Sequence, residues 1–275
     1  MNLNLTTVVK NLLIINFGIF VLSFFIFSQL HIDINDYLGL YSFFSPKFNA
    51  IQYITYMFLH SYVTPFGQIS FAHVFSNMFA LFMFGPMLER VWGAKRFLIF
   101  YLICGLGAGI LYSMLVNYEV YQLKAATEAY LANPNPDAYV VYIHNYGQAI
   151  YDNLLTQINE FSEDPADESL IQASKSVVSQ IYEMGINGGM VGASGAVFGI
   201  LMGFGMLFPN TELFLLFFPF PIKAKYLIAG YAFFEIFTGL HKVPGDNIAH
   251  FAHIGGMIIA FIIIKIWNNE RKAFY

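Results

Sequence analysis

Charge is scarce in this chain. Charged residues make up 11% of its 275 positions and hydrophobic residues 57%. So few charges cannot clothe a water-exposed surface, which excludes a cytosolic enzyme. The single cysteine, Cys104, excludes an intramolecular disulfide. It lies inside an apolar run with no second Cys or His at ligand spacing, so no thiolate metal site follows. His60, His144 and His241 are scattered, with no Glu or Cys at ligand spacing, and read as interfacial or solvated residues rather than metal ligands. A formal net charge of −4 leaves no basic stripe for nucleic acid. No internal repeat or low-complexity tract is present, and no cofactor is implied.

What is present is a set of long apolar runs, and the mean hydropathy is +0.59. Crossing ~30 Å of hydrocarbon takes ~20 helical residues. Six segments meet or approach that length: 11–30, 71–88, 97–116, 188–208, 226–240 and 248–267. The fifth is the weakest, being short and containing Glu235. The first is uncharged for its whole length, lacks a small-x-small cleavage site and is followed by further spans, so it reads as a retained helix rather than a signal peptide. With six spans both termini share a side. That side carries Lys10, Arg90, Lys95, Arg96, Lys223, Lys225, Lys265, Arg271 and Lys272, against Lys47, Lys124, Lys175 and Lys242 on the other. The bias places both termini in the cytoplasm, as expected of a multi-pass protein of a bacterial plasma (inner) membrane.

The expected organisation is three spans in 1–116 with an external loop at 31–70, an external insert at 117–187, and three spans in 188–275. Within the loop, Ile51 to Leu59 is too short to cross and reads as interfacial. The insert holds ten Asp/Glu against two Lys, a water-facing composition. Ile150, Tyr151, Leu154, Leu155, Ile158 and Phe161 recur at helical spacing, as do Leu170, Ile171, Val177, Val178 and Ile181. Breaks at Asn133-Pro134-Asn135-Pro136 and Asp164-Pro165 divide it into two or three amphipathic helices. Glu89, Arg90 and Arg96 are placed to pair in a short 89–96 turn, beside Trp92 as an interface anchor. Leu213 to Phe218 reads as a cytoplasmic interfacial loop.

Polar groups in a membrane helix are costly, so each needs a reason. Ser194, His253, His73 and Asn77 stand out. Counted from the outer ends of their spans, Ser194 and His253 lie at one depth, roughly 9 Å down. His73 lies at the mouth, and Asn77 follows four residues on, along the same helical face. A hydroxyl, an imidazole and a His/Asn donor pair at one level are the parts of a nucleophilic acyl-transfer site. Gly192, Gly195, Gly199 and Gly203 surround the serine, while Gly255, Gly256 and Ala260 follow the histidine. Such small residues let helices approach backbone to backbone. His250, three residues before His253, competes with it for the role of base. Glu235 is read as a neutral carboxyl or one hydrogen-bonded to a neighbouring helix.

Gly192-Ala193-Ser194-Gly195, Ala252-His253-Ile254-Gly255-Gly256 and His73-Val74-Phe75-Ser76-Asn77 together resemble the rhomboid family of intramembrane serine proteases. The resemblance covers roughly residues 50–116 and 188–266 and leaves out the insert. It implies an all-α, six-transmembrane-helix rhomboid-like bundle. It also implies a serine endopeptidase acting on transmembrane protein substrates in the lipid bilayer, with Ser194 as nucleophile, His253 as base and no third acidic member. The oxyanion donors it implies are His73, Asn77 and the backbone amides of Ser194 and Ala193. The chain departs from the pattern in its long insert and in Ala260, where the last motif closes with Gly. Two other readings stand beside this one: a catalytically silent rhomboid-like protein that binds client transmembrane helices, and a six-span transporter, which should show broken helices or a repeated half.

Overall fold

The computed structural model describes residues 5–63, 68–214, 220–241 and 249–272. The chain is helical almost throughout. Helix α1 (Thr7–Leu30) leads into a loop that holds α2 (Asn35–Leu38), α3 (Gln52–Thr55) and a single 3₁₀ turn at Tyr56–Phe58. Helices α4 (Ala72–Trp92) and α5 (Ala94–Ala132) follow, then α6 (Pro136–Tyr146), α7 (Tyr151–Glu163), α8 (Glu168–Ile186), α9 (Ser194–Leu207), α10 (Ala224–Leu240) and α11 (His250–Lys272). Strands β1 (Glu212–Leu213) and β2 (Ile222–Lys223) pair antiparallel between α9 and α10. Part of the loop expected over Leu213 to Phe218 lies outside the described residues.

Three described helices are long and apolar enough to cross a membrane: α1, α5 and His250–Asn268 of α11. Helices α4, α9 and α10 pack among them but are shorter or carry more polar side chains. The bundle turns large apolar residues outward, among them Phe17, Phe25, Phe75, Phe79, Ile103, Phe233 and Ile262. Rings of exposed Phe and Ile on several neighbouring helices suit lipid and not water. The protein is a membrane protein.

Helix α5 contains the expected span 97–116 and runs on past it. Its 39 residues reach about 58 Å, nearly twice the hydrocarbon thickness. Polar residues begin at Asn117, but no Gly or Pro interrupts the backbone until Asn133-Pro134, so the helix continues into the insert instead of ending where hydropathy falls. There it packs with α6, α7 and α8 around a separate core of Leu123, Tyr130, Tyr139, Tyr142, Ile143, Ile158, Phe161, Val178 and Ile181. Asn135 caps α6 by accepting from the Ala138 amide, with Pro136 at the first helical position. Asp167 likewise caps α8, accepting from the amides of Ser169 and Leu170.

Glu89 does not lie in an exposed turn. It belongs to α4, is 5% exposed, and its carboxylate accepts from the amides of Val8 (3.1 Å) and Val9 (2.9 Å) and from the Thr6 hydroxyl. These amides are orphan donors in the first turn of α1, so the carboxylate caps that helix and complements its dipole. The contact sets the start of α1 against the end of α4. At the same end Trp92 packs on Phe100 and Trp267, with ring centroids 4.7 and 5.3 Å apart, and the Arg96 guanidinium lies over Trp267.

Candidate active site

Helix α9 does not begin at residue 188. Its first residue is Ser194, and residues 188–193 form a non-helical entry. The reason is local. Gly192 has φ +140°, a conformation in which an L side chain is strained. The entry is tied to the loop between α1 and α4 by three backbone bonds: Leu40 N to Met190 O (2.8 Å), Met190 N to Leu40 O (2.9 Å) and Gly192 N to Tyr56 O (2.9 Å). Tyr56 is itself pinned by its hydroxyl, which donates to Gly105 O on α5 at 2.6 Å. Ser194 therefore sits at a helix N-terminus held from outside the helix, where first-turn amides have no intrahelical acceptor.

The imidazole of His73 meets the serine over Gly192. A Cβ on Gly192 would lie 2.9 Å from His73 Nε2 and 3.4 Å from Ser194 Oγ. Both side chains thus converge on one point that only glycine leaves open. His73 Nδ1 accepts from the Ser61 amide at 3.2 Å, so in the neutral ring the proton sits on Nε2, the nitrogen facing Gly192. Asn77 is 4% exposed, and its Nδ2 donates to His73 O at 2.9 Å, leaving the second amide hydrogen available.

Helix α11 lies against α9 with backbone in contact. A Cβ on Gly256 would overlap the Gly195 carbonyl. Gly199 lies close to the side chain of Cys104 of α5, where a Cβ would be 2.7 Å from the cysteine Cβ. Gly255 turns instead toward Ala108 and Leu111 of α5. On this shared face the His253 ring stacks on Phe198, one turn after Ser194, with centroids 4.2 Å apart and planes 7° from parallel. His253 Nδ1 lies 2.9 Å from Glu235 Oε2 on α10. His250 Nδ1 lies 2.6 Å from the same oxygen and 3.1 Å from Thr238 Oγ1. All three titratable residues are at most 8% exposed.

Glu235 is thus bonded to a neighbouring helix, but to two imidazoles at once. No spacing signal announces this, because the partners are 15 and 18 residues away and meet only when α10 and α11 pack. The potential ligand atoms of Glu235, His250 and His253 lie within 4.8 Å of one another, the one grouping among the described residues able to present three ligands to a metal ion. The hydrogen bonds at 2.6 and 2.9 Å account for that proximity by themselves.

His60, expected to be interfacial or solvated, is not solvated. It is 1% exposed and stands edge-on to His73 at 5.3 Å. Neither of its ring nitrogens has a hydrogen-bond partner among the described residues. Apolar Leu59 before it and the loop packing over α4 carry it inward, and burial pulls its pKa down to about 3, assisted by His73. His144 and His241 are exposed as expected.

A membrane-embedded helical bundle with a serine at a buried helix N-terminus, beside the imidazole of His73 from another helix, defines a class of polytopic protein with a hydrophilic centre. The Rhomboid domain family matches residues 47–123 and 169–269, and the chain belongs to that family. The unmatched stretch between the two blocks covers the end of α5, all of α6 and α7, and the cap of α8. The chain is also similar to RHOMBOID-like protein 12, mitochondrial, of Arabidopsis thaliana, being 27% identical over 270 residues. That alignment covers 97% of this chain and 59% of the relative, so the chain spans about three fifths of the relative's length.

Proposed function

We propose that the protein is an intramembrane serine endopeptidase that cleaves transmembrane segments of other membrane proteins through Ser194 and His253. The observation that carries this reading is the convergence of the Ser194 hydroxyl and the His73 Nε2–H on the open face of Gly192, at the N-terminus of α9. A nucleophile and a hydrogen-bond donor are there within reach of a single carbonyl group.

In this reading an unwound substrate segment places its scissile carbonyl above Gly192. Ser194 Oγ attacks the carbonyl carbon while His253 Nε2 takes its proton. The developing oxyanion is held by His73 Nε2–H, the free amide hydrogen of Asn77 and the backbone amides of Ser194 and Ala193, with the α9 dipole favouring the negative charge. The imidazolium then protonates the leaving amine. Water enters, is deprotonated by the same ring and hydrolyses the acyl-enzyme.

The assigned organisation is six spans, with 1–116 and 188–275 forming the bundle around loop 31–70 and the acidic insert 117–187 outside the bilayer. The termini lie on the Lys/Arg-rich, cytoplasmic side of a bacterial-type inner membrane. Incubating purified protein in detergent with a model transmembrane substrate, beside Ser194→Ala, tests the activity. Cleavage that disappears in the variant is expected. Helix binding without cleavage by the native chain would replace this reading with that of a client-binding protein.

A further inference from the structure

We propose that Glu235 is the positioning acid of His253, so that the catalytic unit is a Ser194–His253–Glu235 triad drawn from α9, α11 and α10. His250 holds the carboxylate in place. The inference rests on the proteolytic reading above and adds to it a residue that the resemblance does not include.

A carboxyl group at 5% exposure in a bilayer helix is retained at a substantial desolvation cost unless its lone pairs are satisfied. Glu235 satisfies Oε2 twice, with His250 Nδ1 at 2.6 Å and His253 Nδ1 at 2.9 Å. An ionised carboxylate only accepts, so each Nδ1 donates. The Nδ1–H of His253 is thereby committed to α10, and its Nε2 is left with a lone pair. A neutral imidazole of the other tautomer would hold a proton on Nε2 and could not take one from Ser194. The carboxylate therefore selects the tautomer that can act as a base.

The ring is fixed in two further directions. Phe198 lies parallel to it at 4.2 Å, which sets its plane. Close packing of α10 on α11 sets its height: a Cβ on Gly239 would lie 3.2 Å from His250 Cβ. His250, one turn before His253 on the same face, shares the carboxylate oxygen and so prevents Glu235 from turning away.

The proton balance is simple. The Ser194 Oγ–H bond breaks as Oγ–C forms at the substrate carbonyl, and the proton passes to His253 Nε2. The Nδ1–H stays on nitrogen and the carboxylate stays ionised. The imidazolium then faces a negative oxygen at hydrogen-bond distance in a region that water screens poorly, where such a pair is strong.

The test uses the full chain in detergent, as native protein and as Ser194→Ala, Glu235→Gln, Glu235→Asp and His250→Asn, each shown to be folded by thermal unfolding. Glu235→Gln should lower kcat on the order of 10²–10⁴-fold with KM within about threefold. Glu235→Asp should recover part of the loss, and His250→Asn should give a smaller one. In ¹⁵N-histidine NMR, native His253, assigned with His253→Asn, should carry its proton on Nδ1 with a downfield shift that Glu235→Gln abolishes. A Glu235→Gln enzyme with native kcat would overturn the proposal, as would a native His253 protonated on Nε2. Stoichiometric zinc on the native chain that is lost with Glu235→Gln would assign the cluster to an ion and overturn it equally. If neither the native chain nor Ser194→Ala cleaves any substrate, the proteolytic reading fails, while the NMR measurement still decides whether Glu235 sets the tautomer.

Discussion

Replacing Gly256 by alanine should separate Ser194 from His253, its base in the proposed mechanism, without touching either. The new methyl group would overlap the carbonyl of Gly195, a backbone atom that cannot rotate away. Relief requires α9 and α11 to move apart by on the order of 1 Å to reach ordinary van der Waals spacing. Overpacking of this kind typically costs about 1–3 kcal/mol of stability, which a bundle with this much buried contact can absorb. Catalysis is less forgiving, because a displacement of about 1 Å in a reacting pair can cost roughly 10²-fold in rate. Gly256→Ala should therefore express and span the membrane normally, lose a few degrees in Tm and cleave a model substrate about 100-fold more slowly. Gly18 in α1 serves as control, since a Cβ there meets nothing within 4 Å. Gly18→Ala should match or slightly exceed native stability and cleave at the native rate. Native kcat in Gly256→Ala would refute the claim that close backbone approach at this crossing sets the serine–histidine geometry.

Four other outcomes are expected. Asn77→Ala should lose about 10²–10³ in kcat as the proposed oxyanion donor is removed; full activity on several substrates would demote Asn77 to helix packing. His60 binds a proton far less readily in the folded protein than its ordinary value of 6.5 allows, at about 3. The unfolded chain therefore binds more protons between those values, and stability is present in full above pH 6.5 and falls with pH across that window by a few kcal/mol. Thermal unfolding at pH 7.5 and 5 should show this, and His60→Leu should flatten it. Glu89→Gln leaves one acceptor for three donors at the start of α1 and should cost about 1–3 kcal/mol, read as a lower Tm with kcat preserved at low temperature. Exchanging 120–184 for a short Gly/Ser linker should keep the bundle folded but change which substrates are cut or how fast, whereas unchanged kinetics would make the insert a passenger.

The local features of the site were legible because their signals are local. His73 and Asn77 four apart specify one helical face, whereas the start of α9 at Ser194 is hidden by the apolar run from 188, because the turn at Gly192 shows only in its backbone. What could not be read depends on packing between distant segments. Glu235 reads as a neutral carboxyl or one hydrogen-bonded to a neighbouring helix, and which groups it meets is seen only when α10 packs on α11. Glu89 looks like a surface-turn charge until α1 presents its free amides to it. His60 follows an apolar run too short to span, and only the folded loop shows that it is buried. The full length of α5 was not legible for another reason: hydropathy reports where lipid ends, while helix termination depends on Gly, Pro and capping side chains. The two signals are separated here by 16 residues, between 116 and the helix end at Ala132.

That separation changes how the insert must be regarded. A long flexible loop can be added to a protein at little entropic cost, because closure entropy rises only slowly with length. This insert is not such a loop. It leaves the bundle as an uninterrupted helix and returns through α8, whose last residue, Ile186, is 8% exposed. Both junctions are fastened to the same loop of the bundle. Asn117 Oδ1 accepts from Ser42 Oγ at 2.7 Å and from the Phe43 amide at 2.8 Å, while Ser45 Oγ donates to Asn187 Oδ1 at 3.1 Å. That loop in turn holds the entry to α9 through Leu40 and Tyr56. A short series of hydrogen bonds therefore links the base of the insert to Gly192, the residue over which Ser194 and His73 converge. A rigid attachment of this kind holds the serine turn in position through Asn117 and Asn187, which both lie inside the family match and flank the unmatched stretch.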